Sequence, residues 1–133
     1  MVTKTEVLDR LNHVTVTDDG LDSDDLDVLA SFINNLYLNQ NTDSSKWDIA
    51  RVCVSMLNFL MVKNKRYGNS AIEPLNVFSK LDANEQINNR MDDKLMRIKN
   101  SSIERKNDYV DLSGYLLLKC IANDWLEFDD LLD

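Results

Sequence analysis

Ser44-Ser-Lys-Trp-Asp-Ile-Ala-Arg-Val-Cys-Val-Ser-Met-Leu-Asn-Phe-Leu-Met-Val-Lys-Asn-Lys-Arg66 is the stretch whose reading decides the fold. Ile49, Val52, Cys53, Val54, Met56, Leu57, Phe59, Leu60, Met61 and Val62 leave little polar face. A helix apolar nearly all round belongs in the middle of a bundle. It is too short and too interrupted to cross a bilayer, which takes about 20 apolar residues. Ser44 or Ser45 starts it. Gly68 ends it, because glycine adopts a left-handed cap at the least cost.

On the N-terminal side, Thr3-Lys-Thr-Glu6 has the form of a capping box and opens a short helix carrying Val7, Leu8 and Leu11. Residues 12–20 read as a loop. Asp22 or Ser23 caps a second helix near 24–39, where Leu26, Leu29, Ala30, Ile33, Leu36 and Tyr37 keep the 3.6-residue period. Asn39 to Asp43 breaks it.

On the C-terminal side, Pro74 keeps Glu73 out of helix, so residues 67–81 form a loop anchored by Ile72, Leu75, Val77 and Phe78. An apolar loop of this length in a small domain is often functional. Asp82-Ala-Asn-Glu85 caps a fourth helix to about Asn100, with Ile87, Met91, Leu95 and Ile98 on one face. Ser101-Ser-Ile-Glu104 caps a fifth, about 103–122, which buries Tyr109, Leu112, Leu116, Leu117, Cys120 and Ile121. The tail, residues 123–133, mixes Trp125, Leu126, Phe128, Leu131 and Leu132 with acids and reads as a last helical turn packed on the bundle or on a partner.

The whole chain thus reads as one all-α domain, 1–133, a bundle of about five helices. Its core is residues 22–122, preceded by a short helix and loop (1–21) and followed by the acidic tail. Its 133 residues, 29% charged and 44% hydrophobic, fit a globular domain. Three Gly and one Pro are few for a turn-rich β-sandwich. The start of the chain has no signal-peptide core, and Cys53 and Cys120 lie on apolar faces, so a cytoplasmic protein is expected.

The net charge of −8 argues against duplex nucleic-acid binding. Its distribution is uneven. Residues 1–47 carry nine acids and three bases, residues 48–122 nine acids and twelve bases, and residues 123–133 five acids and no base. A mildly basic centre between acidic ends leaves room for a local anion site.

Several chemistries are excluded. His13 is the single histidine, zinc sites need more Cys and His than are present, and no Walker A or dinucleotide-binding glycine loop occurs. Carboxylates and cations remain. Asp108 and Asp111 are three apart on the fifth helix and share a face, which Glu104 and Tyr115 extend. Arg90, Asp93, Lys94 and Arg97 form a stripe on the fourth. Antiparallel packing of the two helices brings Asp93 toward Asp108 or Asp111. Two or three such carboxylates suit Mg²⁺, which keeps waters for substrate phosphates. Arg90, Lys94 and Arg97, with Lys63 and Lys65, are the candidate phosphate-binding cations. The alternative is an Asp93–Arg97 surface pair, with Asp108 and Asp111 solvated or paired with Arg105 and Lys106.

Lys63-Asn-Lys-Arg-Tyr-Gly-Asn-Ser-Ala71, Arg90-Met-Asp-Asp-Lys-Leu-Met-Arg97 and Asn107-Asp-Tyr-Val-Asp-Leu-Ser-Gly-Tyr115 stand in an order that resembles a phage and bacterial family, nucleotide modification associated domain 1. The likeness runs from Lys63 to Tyr115. It implies a phage-type protein of nucleotide metabolism or base modification, acting in the host cytoplasm. It also implies a MazG-like helical bundle, similar to the all-α nucleoside triphosphate pyrophosphohydrolases of the MazG and dimeric dUTPase group. Those hold Mg²⁺ with a Glu-x-x-Glu pair on one helix and a Glu-x-x-Asp pair on a later one. Asp108-x-x-Asp111 would stand for the second pair, with Asp93 as a further ligand. The first pair is missing, since residues 48–66 hold no Glu and Asp48 alone among acids.

The expectation is therefore a nucleotide-binding protein. Mg²⁺ sits on Asp93, Asp108 and Asp111, phosphates on Lys63, Lys65, Arg90, Lys94 and Arg97, and the base or ribose on Tyr67 or Tyr115. If turnover occurs it is hydrolysis at the α–β phosphate bond, and no residue is assigned a catalytic role. The alternatives are a non-catalytic phage effector that binds a host protein through the acidic tail or sequesters a host nucleotide signal, and a scaffold without ligand. Homo-oligomerisation is expected, because the helix at 48–66 needs covering on several sides.

Overall fold

Thr3 stands at the head of the first helix with its hydroxyl accepting the Glu6 N–H at 3.1 Å, while the Glu6 carboxylate accepts the Thr3 N–H at 3.2 Å. This reciprocal box satisfies two orphan donors and is worth about 1 kcal/mol. The computed structural model describes residues 3–37, 44–77 and 79–132. Five α-helices run through them: α1 (Lys4–Leu11), α2 (Ser23–Tyr37), α3 (Ser44–Tyr67), α4 (Ala83–Asn100) and α5 (Lys106–Ala122), followed by a single 3₁₀ turn, Asp129–Leu131. No strand occurs among the described residues, so the fold class is all-α. No described helix is long and apolar enough to cross a membrane.

The chain divides into two compact units, Met1–Arg66 and Tyr67–Asp133. In the first, α1 packs on α2 and buries Val7. The Asp22 carboxylate accepts the Asp25 N–H at 2.8 Å and starts α2. Leu26 and Ala30 of α2 meet Ala50 and Val54 of α3, with Leu21, Leu29, Ile33 and Trp47 packed around them. Polar contacts pin the same seam. Arg51 Nε lies 2.6 Å from Asp27 Oδ1, and Trp47 Nε1 donates to Ser31 Oγ at 3.2 Å.

The loop between α1 and α2 folds onto α3. Thr17 and Gly20 exchange backbone hydrogen bonds across a tight turn, with Gly20 at φ +84°. The Asn58 side chain then accepts the Leu21 N–H at 2.9 Å. At the end of α3, Lys65 and Arg66 pair with Asp18 and Asp19 of that loop at 2.8 and 2.6 Å.

Several expectations about burial are corrected. α3 is not apolar-covered all round: Ala50 and Val54 are buried, but Ile49, Val52, Cys53, Leu57 and Met61 are exposed. One face meets α2, and a fifteen-residue helix covers only one face. In the loop after α3, Leu75 and Val77 point to solvent rather than anchoring it. Phe78 lies outside the described residues, as do the positions 39–43 expected to break the second helix.

The second unit is an antiparallel hairpin of α4 and α5. Asp82 caps α4, accepting the Glu85 N–H at 2.8 Å. Ile87 is buried, while Leu95 is exposed. The fifth helix starts at Lys106, not near 103, and its N-cap is Arg105 without a side-chain cap. Ser101 is diverted because its hydroxyl bonds locally to the Ile103 backbone. Such short-range bonding competes with helix. The connection is thus five residues, Ser101–Arg105. Tyr109, Leu116, Leu117 and Ile121 of α5 are exposed, and the buried positions are Asp108 and Gly114. The inward positions of α5 are mixed, with Asp108, Asp111 and Lys119 among half-buried Leu112, Leu118, Cys120 and Ala122, so apolar periodicity alone misplaced the face.

Candidate functional site

The seam between α4 and α5 is held by polar side chains in antiparallel register. Lys94 Nζ lies 2.9 Å from Asp111 Oδ2. Two turns further along, Lys119 Nζ donates to Asn88 Oδ1 at 2.6 Å and to Asn84 Oδ1 at 3.4 Å. Asn84 and Asn123 then exchange amide hydrogen bonds at 3.1 and 2.8 Å. Falling numbers on α4 meet rising numbers on α5, which fixes the pairing. The same register carries Asp108 to the connection end of the hairpin.

Asp108 is the most buried polar residue described, 2% exposed. Its Oδ1 is shielded from solvent and accepts no hydrogen bond. It takes part in no ion pair among the described residues, although Arg105 and Lys106 are its neighbours in sequence. A buried carboxylate ordinarily has its lone pairs satisfied, and an orphan acceptor costs on the order of 1–3 kcal/mol, more when charged. The third position of a helix is favourable for an acid through the helix dipole, but that does not replace a donor.

Asp108 lines a cavity of about 240 Å³ at this end of the hairpin. Ile98, Ser101, Ser102, Ile103, Glu104, Arg105 and Tyr109 complete its wall. The Tyr109 hydroxyl donates to Glu104 Oε1 at 3.2 Å. Burial and that bond to a carboxylate hold the Tyr109 phenol above its ordinary pKa. The lining residues therefore bring two carboxylates, one of them bonded to Tyr109, three hydroxyls, a guanidinium, one aromatic ring and two isoleucines.

The sequence-designated residues fall in different places. Asp108 is buried, Asp111 is half-buried and paired with Lys94, and Asp93 is exposed. Among the described residues no group of three or more His, Cys, Asp or Glu side chains could hold a metal ion. Lys94 is committed to Asp111, and Arg90 and Arg97 are exposed on α4. Tyr115 is half-buried and Tyr67 exposed. Lys63 and Lys65 belong to the first unit, Lys63 over the Phe59 ring at 5.4 Å and Lys65 against Asp18.

Sequence reading missed Asn84, Asn88, Lys119 and Asn123, and the cavity residues Ser101, Ser102, Arg105 and Tyr109 as a set. A signal for the first group was present: Asn84 and Asn88, and Lys119 and Asn123, are each four apart and so share a helix face. Compared with models of protein families, with curated proteins and with solved structures, the chain matches none.

Proposed function

We propose that this chain is a nucleotide-binding protein whose second unit holds the ligand at the connection end of the α4–α5 hairpin. The observation that carries the reading is Asp108, a buried carboxylate with an unpartnered oxygen, on the wall of a cavity. A buried polar group left unsatisfied calls for a partner, and beside a cavity we take that partner to be a ligand group. Arg105 and the Ser102 hydroxyl beside the first turn of α5 supply donors for an anionic group, the Ser101 hydroxyl being given to the Ile103 carbonyl. The order of motifs from Lys63 to Tyr115 supports the same ligand class. The reading uses no protein-held metal ion, because Asp111 is neutralised by Lys94 and Asp93 is exposed.

Calorimetric titration with nucleoside mono- and triphosphates, in Mg²⁺ and in EDTA, tests it. Binding in both media is expected, with loss in Asp108→Ala. Absence of heat for every nucleotide at millimolar concentration would remove the reading.

A second reading rests on the tail. Trp125, Leu126, Phe128, Leu131 and Leu132 are all exposed among acids, a composition suited to docking on a basic, apolar partner surface. Capture from a host lysate with the full chain and with a chain lacking residues 123–133 separates the two. Identical captures would count against the tail as an interface.

A further inference from the structure

We propose that the outward face of α3 pairs antiparallel with the same face of a second copy of this chain. The inference concerns the first unit and does not depend on nucleotide binding. Ile49, Val52, Cys53, Met56, Leu57 and Leu60 fall at i, i+3, i+4, i+7, i+8 and i+11 and form one stripe. Ala50 and Val54, which meet α2, lie outside it. Ile49, Val52, Cys53 and Leu57 are exposed, and Met56 and Leu60 are half-buried. Arg51 is the single charged residue between Ile49 and Val62, and it is committed to Asp27.

Area is the first argument. Ile49, Val52 and Leu57 are 64%, 65% and 59% exposed. With Cys53, Met56 and Leu60 the stripe presents on the order of 500 Å² of apolar surface, at the upper end of what a soluble monomer leaves in one patch. Two such faces together bury about 1,000 Å², the level at which an interface becomes specific, before any rim is added.

Symmetry names the occupant. A two-fold interface sets one patch against itself, so the patch must read alike in both directions. Reversed about the midpoint between Val54 and Ser55, the stripe maps onto itself. Ile49 comes level with Leu60, Val52 with Leu57 and Cys53 with Met56. The rim is complementary under the same reversal. Asp48, Val52, Phe59 and Lys63 stand at i, i+4, i+11 and i+15 and share one edge of the stripe. Asp48 and Lys63 are exposed at opposite ends of that edge, Lys63 over the Phe59 ring. The two-fold brings Asp48 of each copy to Lys63 of the other and opposes the two helix dipoles. A parallel pair would set Asp48 on Asp48 and Lys63 on Lys63.

The test is sedimentation equilibrium of the full chain from micromolar to submillimolar concentration, where twice the mass of one chain is expected. Val52→Glu and Leu57→Glu change exposed positions, so circular dichroism should be unchanged while self-association weakens at least tenfold. Asp48→Lys and Lys63→Asp should each weaken it, and the double change should restore it, a recovery that misfolding cannot produce. In a Cys120→Ser chain, a short bismaleimide should join two Cys53 thiols. With Cys53→Ser added, Ile49→Cys should not be joined, because antiparallel pairing separates two copies of position 49 by about 16 Å along the axes. A chain that stays monomeric throughout, as it would if a foreign protein covered the stripe, overturns the proposal. So does a dimer that survives both glutamates. Charge-reversal losses that add, or joining through Ile49→Cys, overturn the antiparallel register.

Discussion

Lys94 Nζ and Asp111 Oδ2 lie 2.9 Å apart across the α4–α5 seam, with side chains 14% and 31% exposed, one helical turn from buried Asp108. This pair is shielded enough to matter, and it sets the register that takes Asp108 to the cavity. Removing one partner leaves a charge in a partly dry seam, which costs more than losing a surface ion pair. Asp111→Ala and Lys94→Ala should each destabilise the chain by about 2 kcal/mol. The double variant should lose less than the sum, with a coupling of about 1 kcal/mol in a urea-denaturation cycle. Additive losses would show the pair to be incidental.

Gly20 and Gly68 both have positive φ, at +84° and +62°, but their surroundings differ. A Cβ at Gly20 would press on the Asn58 amide and come within 2.6 Å of Val62 Cγ2, whereas at Gly68 it meets nothing within 4 Å. Gly68→Ala therefore carries only the left-handed backbone penalty, about 1 kcal/mol. Gly20→Ala adds displacement of Asn58, which holds the Leu21 backbone, for about 2–3 kcal/mol in all. Equal melting temperatures for the two variants would refute the close approach.

The helices were legible because their ends are written in short-range chemistry. Thr3 with Glu6, Asp22, Asp82 and Gly68 act within four residues, and the structure places helix boundaries at each. Burial was less legible. Leu116, Leu117 and Ile121 keep a helical period, yet α5 turns Asp108, Asp111, Lys119 and the helix-end Asn123 toward α4 instead. Which face is inward depends on the partner helix, and a seam that mixes charged, amide and apolar side chains gives no clean hydrophobic period to read. The start of α5 failed for a related reason. Ser101 satisfies the sequence pattern of a cap, but its hydroxyl bonds to Ile103. At the candidate site the spacing of Asp108 and Asp111 was readable. The lone oxygen of Asp108 was not, since it depends on where Arg105 and Lys106 fail to reach.

Acid should loosen the loop at Asp18. Its carboxyl is held below the ordinary value of 3.8 by the hydrogen bond and charge of Lys65, with Arg66 assisting. A lowered carboxyl pKa contributes stability above the unfolded value and loses it as pH falls through the folded one. The pair is fully exposed, so the contribution is small and screened by salt. Between pH 5 and about 2, the Asp18→Asn variant should lose less stability than the parent chain. The difference should shrink in 1 M NaCl. A salt-independent difference would place its origin elsewhere.

Alkali should report on the candidate cavity through Tyr109. Partial burial, and then its bond and proximity to Glu104 with Asp108 nearby, raise the phenol above 10.0. The neutral phenol is the stabilising form. Its contribution is present below the unfolded pKa and is lost as pH rises through the higher folded one. Of the four tyrosines, the one removed by Tyr109→Phe should be a late-ionising component in an ultraviolet titration. Glu104→Gln should move that component to lower pH, because it withdraws both the charged acceptor and the negative charge. If a nucleotide occupies the cavity, Tyr109 should ionise later still, shielded further from water. A phenol that titrates at the same pH with and without the nucleotide would place the ligand away from this end of the hairpin.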